Sequence, residues 1–436
     1  MGKLIKHEMT KIIKSKKNKI LILIFILLIV VSNIFYNIKY NKYIDEIEEN
    51  GKISYNSAQI RGNKIIGDIH RLTKIEDELD EMLLIKEYGS LEEAQKQIPI
   101  QEKKKERNDT ESSLVNIILK KEKSLEKRQK KARKDKQIQD EQKMIDQLLK
   151  YKVDRLDNII EAEKEGVLPK TALRLRNVTI NDIRRKNTYY KYLLKNNLKY
   201  SLNPYTNSGV FGIIGLFENT IILLIFLIFT FITMDLFLSE IEGGSYKLAY
   251  TQPYERSKIF FSKVMAMLIF TIVVILAALS LNFIANSIIS EIGNFSEPVA
   301  VSENIKNISL NNKEVNYIII SIGAKILLSI LLFLTIIMFN ISLISTISVF
   351  TDSTTKTMGI VISAIMLCLL IRRFVSPGSI IHGILPYSYI FNQDILIGRY
   401  NTSYILGVLI NLGLSAVLLL IGSKKIAKKD FLGARD

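Results

Sequence analysis

Six runs of apolar residues interrupt this chain, at residues 20–38, 213–238 and 264–289, within 317–350, and at 357–371 and 404–421. Roughly 20 apolar residues in a helix cross about 30 Å of hydrocarbon. All six read as spans, and the fifth in order, 357–371, is the shortest. Inside lipid the backbone must satisfy its own hydrogen bonds, and runs of this length do so only as α-helices. The expected fold class is therefore an all-α membrane protein with six transmembrane helices. The hydrophobic content, 48% of 436 residues, is ordinary for a soluble protein. Its segregation into these runs is not.

The net charge of +17 invites a nucleic-acid reading. The cations do not form one patch, however. They gather at Lys3, Lys6, Lys11, Lys14, Lys16, Lys17 and Lys19, at Lys247, Arg256, Lys258 and Lys263, and at Lys424, Lys425, Lys428 and Lys429. Each group abuts an apolar run, the positive-inside signature of cytoplasmic segments. Nucleic acid is accordingly not the expected partner. Both termini and the 239–263 loop are expected in the cytoplasm of a multi-pass cell-membrane protein, with residues 39–205 outside. The first run follows a basic stretch but no small-residue cleavage site, so it reads as an uncleaved anchor. Arg372 and Arg373 are the awkward residues, because this count puts them at the outer face.

Lys325 would lie about 12 Å deep if the fourth crossing began at Tyr317, at about 1.5 Å per residue. Starting the crossing near Ile326 leaves 315–325 as an outer-leaflet helix with the ammonium reaching the interface. A buried functional lysine is the alternative. Cys368 is the sole cysteine. It can form neither an intrachain disulfide nor a cysteine metal site, and reads as a small buried hydrophobe.

Three regions follow: 1–38, an interfacial helix and the first span; 39–205, an external helical domain; and 206–436, spans two to six. In the external region Ile65, Ile69, Leu72, Leu79 and Leu83 recur at helical steps, as do Ile138, Ile145, Leu149, Leu156 and Ile159. Gln142 and Lys152 fill the remaining slots of the second stripe. Such narrow stripes suit a coiled-coil or hairpin seam. Gly89, a capping box at Ser90-Leu91-Glu92-Glu93, and Gly166 with Pro169 mark helix ends. A further helix is expected over 171–195. The charged stretch 103–136 reads as a solvated face or tip, or as a contact for anionic polymer.

The loop after the second run reads Glu240-Ile241-Glu242-Gly243-Gly244-Ser245, then Pro253, Arg256 and Lys263. Taken alone it is a basic turn with glycines for a sharp exit and a proline suited to a helix start. Its order resembles the cytoplasmic loop of ABC-2-type exporter permeases, where an acidic-Gly run with Pro and Arg contacts the ATPase. The N-terminal Leu4-Ile5-Lys6-His7-Glu8-Met9-Thr10-Lys11-Ile12-Ile13-Lys14 looks like the interfacial helix that opens those proteins. Lys428-Lys429-Asp430-Phe431 is similar to their basic tail, and the stretch from Pro377 to Pro386 to their partly re-entrant outer helices. The resemblance covers everything but the external region, which is a large insert after the first span.

That resemblance implies a permease subunit in the membrane lipid, paired with a second copy or paralogue. A separate ABC ATPase, two copies per pair, would carry ATP and Mg. Glu240, Glu242, Gly243, Gly244, Pro253, Arg256 and Lys263 would form the ATPase-coupling loop. By analogy alone, the substrate would be amphipathic, such as an antimicrobial peptide or a lipid-like molecule. The rival class is a non-transporting receptor or scaffold whose external coiled coil binds a partner.

No catalytic arrangement is present. There is no G-x-x-x-x-G-K-[ST], and Gly209, Gly212 and Gly215 lack the lysine. His7, His70 and His382 fall in three regions, and no H-E-x-x-H occurs. Candidate polar residues within the spans are Glu218, Asn219, Asn282, Asn286 and Asn340. Asn282 and Asn286 share a helical face, which suits a helix–helix hydrogen bond as well as a substrate path. Lys-, Ile- and Asn-rich usage without Trp is the usage of an AT-rich bacterial genome.

Overall fold

The computed structural model describes residues 1–51, 134–165, 179–198, 208–217, 219–244, 254–289, 292–306, 308, 310, 315–351 and 353–428. Several expected features lie outside these residues. They are the 65–83 stripe, the helix-end signals at 89–93 and 166–169, residues 103–133 of the charged stretch, the helix start at 171, Glu218, Pro253 and the tail from Lys429.

The described residues are largely helical, and among them six helices are long and apolar enough to cross a membrane. Elements are numbered in chain order over the described residues. A short amphipathic helix, α1 (Gly2–Lys14), buries Glu8 and Ile12. Ser15 leaves the helical region with φ −57° and ψ 125°. The chain then re-enters a helix, α2 (Lys16–Gly51), whose apolar part spans Lys16–Ile34.

The second apolar run is not one helix. It is split into α5 (Gly209–Leu216) and α6 (Asn219–Glu242). Asn219 and Thr220 open α6, and both residue types compete with helix interiors while favouring helix starts. Asn219 therefore stands at a helix start and not within a span. Ser208 caps α5 by accepting a hydrogen bond from the Phe211 amide at 3.4 Å.

The third apolar helix, α7 (Arg256–Ile289), begins before the apolar run itself, so Arg256, Lys258 and Lys263 ride on its first turns. Beyond it, two five-residue strands, β1 (Pro298–Ser302) and β2 (Tyr317–Ser321), form a two-stranded sheet. This corrects the expected outer helix over 315–325. Ile318, Ile319 and Ile320 are β-branched and stiff at χ1, and favour a strand. Ser321 then starts α8 (Ile322–Phe350), accepting from the Ala324 amide at 3.2 Å. Lys325 thus sits in the first turn of that helix.

The fifth apolar helix, α9 (Thr354–Phe374), is longer than its run predicts. Between it and α12 (Tyr404–Lys428) the chain forms α10 (Ile381–Ile384), a 3₁₀ turn (Pro386–Ile390) and α11 (Asn392–Leu396).

The chain divides into two compact units. The first joins Met1–Ile38, Asn207–Val315 and Ile320–Asp436. Its interior is formed by α6 and α8, whose apolar windows are 67% and 56% buried, against 22% for α2 and for α9. The most extensive packing is between α8 and α12. A small residue admits this contact: a Cβ at Gly422 of α12 would lie 3.0 Å from Thr346 Oγ1 of α8. Small side chains let helix backbones approach in lipid, where burial of apolar surface gives no drive. Close approach permits bonds to backbone oxygens. Thr346 Oγ1 donates to Leu418 O at 2.8 Å, and the Tyr404 hydroxyl to Leu328 O at 3.0 Å.

The second unit takes Lys39–Thr206 and Asn316–Ile319. Its described part pairs α3 (Lys134–Lys164) with α4 (Ile180–Lys195) in antiparallel register. Asn187 donates to Asp157 at 2.6 Å, Lys152 to the Tyr190 hydroxyl at 3.0 Å, and Arg184 pairs with Glu163. The buried stripe of α3 contains Leu149, Leu156 and Ile159 as the periodicity predicts. It takes in Lys152, as expected, and Leu148, Val153 and Arg155 besides, so it is broader than the expected seam. A capping box of Thr179 with Asp182 starts α4.

Candidate functional site

Two of the residues singled out around 240–263, Glu240 and Lys263, meet in one buried ion cluster. Glu240 occupies the last turn of α6, and Lys263 faces it from the third turn of α7. Lys263 Nζ donates to one carboxylate oxygen of Glu240, and Lys11 Nζ of α1 donates to the other at 2.7 Å. Glu8, also on α1, accepts from Lys11 at 3.3 Å. The Lys263 side chain is only 3% exposed. Burying an ion pair costs several kcal/mol per ion before attraction repays it, so a buried pair persists where each charge is fully partnered.

A second tie lies one turn deeper on α6. Ser15, at the break between α1 and α2, donates to Asp235 Oδ2 at 2.9 Å, and Lys17 Nζ lies 3.8 Å from Asp235 Oδ1. Asn18 closes the same corner by donating to Ile12 O at 3.2 Å. The basic residues of α1 that the positive-inside pattern explains in bulk thus act singly. Lys11 of α1 and Lys17 of α2 each reach a carboxylate on α6.

Gly243 and Gly244 form the exit from α6. The Gly243 amide still bonds Ser239 O at 3.0 Å, and Gly244 turns the chain with φ +63°, a conformation that favours glycine. Arg256 is half-buried at the start of α7. Glu242 ends α6, and its side chain lies outside the described residues, as does Pro253.

The candidate asparagines of the spans do not meet in one place. Asn282 donates to Gly212 O of α5 at 2.7 Å, and Asn286 to Asn282 Oδ1 at 2.9 Å and Asn33 Oδ1 at 3.1 Å. A Cβ at Gly212 would lie 2.3 Å from Asn286 Nδ2, so glycine is what admits α5 to this contact. Asn340 lies elsewhere. It donates to Thr230 Oγ1 at 2.9 Å and accepts from the Tyr387 hydroxyl at 2.9 Å, joining α6, α8 and the 3₁₀ turn.

Between α9 and α12, Arg372 pairs with Asp394, which is 1% exposed, while Arg399 donates to its other oxygen at 3.3 Å. The Arg372 guanidinium also stacks over Phe391 at 3.8 Å and Tyr400 at 4.5 Å. The awkward arginine is therefore a partnered one, while Arg373 is exposed.

Lys11, Asp235, Tyr387 and Asp394 were not read as site residues from sequence. Asp235 had a signal, as an acid inside an apolar run. The others had none, because their partners lie far along the chain. Among the described residues, no group of three or more His, Cys, Asp or Glu could hold a metal ion. The 240–263 cluster ties α1 to the two ends of the loop through Glu240.

No curated protein and no solved structure matches the chain. The sequence model of a family described as "ABC-2 family transporter protein" matches residues 3–386, from α1 past the fifth apolar helix. With a match over so much of its length, the chain belongs to the ABC-2 family of transporter proteins.

Proposed function

We propose that this chain is the permease subunit of an ABC exporter, paired with a second copy or a paralogue. A separate ATPase, two copies per pair, binds ATP and Mg and docks on the loop between α6 and α7. In this reading both termini and that loop are cytoplasmic, and residues 39–205 form an extracellular helical domain. The substrate class is an amphipathic molecule, a peptide or a lipid-like compound.

The observation that carries the proposal is the buried Lys11–Glu240–Lys263 cluster at the foot of the loop. A loop that only turned the chain would need no such fixing. A loop that passes a partner's movement to the spans needs a stiff base, and three helices are joined there. Glu242 and Arg256 are the charged candidates for the ATPase groove.

The test is charge reversal at each of these two positions, since interface charges depend on both partners. Arg256→Glu or Glu242→Arg is expected to abolish transport and weaken ATPase copurification while the protein still reaches the membrane. Full activity with unchanged copurification in both variants would sink the coupling role.

A further inference from the structure

Residues 372–403, between α9 and α12, carry a charge that the proposed orientation does not explain. In that reading they face outward, where the positive-inside pattern calls for no excess of cations. Yet they hold Arg372, Arg373 and Arg399 against one acid, Asp394. Asp394 is shared: Arg372 pairs with one oxygen, and Arg399 donates to the other at 3.3 Å. One carboxylate does not neutralise two guanidinium groups, and among the described residues Arg373 pairs with no acid. The stretch itself keeps a surplus of two positive charges, and its exposed cations are Arg373 and Arg399.

An exposed apolar surface belongs to the same stretch. Phe374, next to Arg373 at the end of α9, is 80% exposed. The single turn α10 buries His382 and Gly383 and leaves Ile381 and Ile384 outside, with Ile380 just before it exposed as well. The stretch is held as one piece. The Asn401 amide donates to Pro377 O at 2.9 Å, and Asn401 Nδ2 to Gly378 O at 3.1 Å. The His382 ring lies 4.8 Å from the Tyr400 ring, and the Arg372 guanidinium lies over that same ring at 4.5 Å. Thus α10 packs on the residues that directly follow Arg399, and the apolar surface and the arginines are fixed to each other.

We propose that this surface binds an anionic phospholipid at the end of α9. Phe374, Ile380, Ile381 and Ile384 lie against its acyl chains, and Arg373 and Arg399 at the level of its phosphate. An exposed apolar surface rimmed by charge marks a membrane or protein contact. A second copy meeting this surface across a two-fold axis would set its cationic surplus against an identical one, which is unfavourable. Lipid supplies what both features lack. Guanidinium groups suit phosphate oxygens by geometry and charge. A zwitterionic headgroup brings its own cation, so the surplus selects a headgroup that is anionic overall.

The test uses the absence of tryptophan from the chain. The full-length protein carrying Phe374→Trp is reconstituted in mixtures of phosphatidylcholine and phosphatidylglycerol, with one or the other brominated in its acyl chains. Quenching of the introduced tryptophan reports only the lipids beside it, and its dependence on composition gives their relative binding constant. Both leaflets hold both lipids, so the result does not depend on which way the chain is oriented. Phosphatidylglycerol is expected to be favoured by roughly fivefold or more, the strength of one basic residue at an anionic membrane surface. Arg373→Gln is expected to reduce that preference, and Arg373→Gln with Arg399→Gln to bring it close to parity, while quenching by brominated phosphatidylcholine persists. Absence of quenching by either lipid would mean that protein covers the surface, and overturns the proposal. Equal quenching by the two lipids overturns it too. So does a preference erased by inorganic phosphate but not by chloride at equal ionic strength, which would assign the arginines to a free anion.

Discussion

Glu240 holds its corner of the bundle because each of its two oxygens is bonded to a different lysine, and one of those lysines is almost fully buried. Removing its charge leaves Lys263 buried without its counter-ion. Breaking a buried pair in this way costs about 3–5 kcal/mol. Glu240→Gln is therefore expected to lower the thermal unfolding midpoint clearly, and Lys263→Met less so, because Lys11 still balances Glu240. Replacing both by Met should recover much of the loss, since the pair is exchanged for apolar packing. Equal midpoints for Glu240→Gln and the native protein would show that the cluster carries no stability. The asparagines act by the same logic with neutral groups: Asn340 bonds Thr230 and Tyr387 and so joins three elements.

At the scale of elements, the short segments between α9 and α12 have little helix of their own, and α10 and α11 are single turns. Tertiary contacts hold them. Asp394 binds Arg372 from the end of α9 and Arg399 from the loop before α12. The Tyr389 hydroxyl donates to Gly383 O at 2.8 Å, and Asn392 to Ser329 O of α8 at 2.6 Å. Asp394→Asn is isosteric and leaves two arginines without a carboxylate. Amide hydrogen exchange over residues 375–403 is expected to speed up in that variant, with exchange in α8 unchanged. Uniform protection across both regions would show that the segment is held without the ion pairs. The break at Ser15 works on the same scale: the serine ends α1 and ties the corner to α6.

For the whole molecule, the orientation proposed above rests on the alternation of basic clusters with apolar helices. Single cysteines placed in a Cys368→Ala background and probed in intact cells with an impermeant thiol reagent would check it. Labelling is expected to be strong at position 120 and absent at position 250. The reverse pattern would turn the topology over and move the proposed ATPase contact to the wrong side. The removal of Cys368 should be tolerated, since it is a buried thiol near the Ser388 hydroxyl, at 3.5 Å.

The sequence by itself determined the number of crossings, because an apolar run of about 20 residues has one way to satisfy its backbone in lipid. It also determined the stripe on α3, the exit at Gly243 and Gly244, and the shared face of Asn282 and Asn286, since each depends on residues a few positions apart. The strand at 317–321 was misread because β-branched residues serve buried helices and strands alike, and their neighbours decide. The split between α5 and α6 was missed because apolar residues continue on both sides of it. What only the tertiary structure decided is partnership. Lys11 with Glu240, Arg372 with Asp394, and Asn340 with Thr230 and Tyr387 join residues from separate elements. Local periodicity sets which face a side chain occupies, but the packing of whole helices chooses what stands opposite.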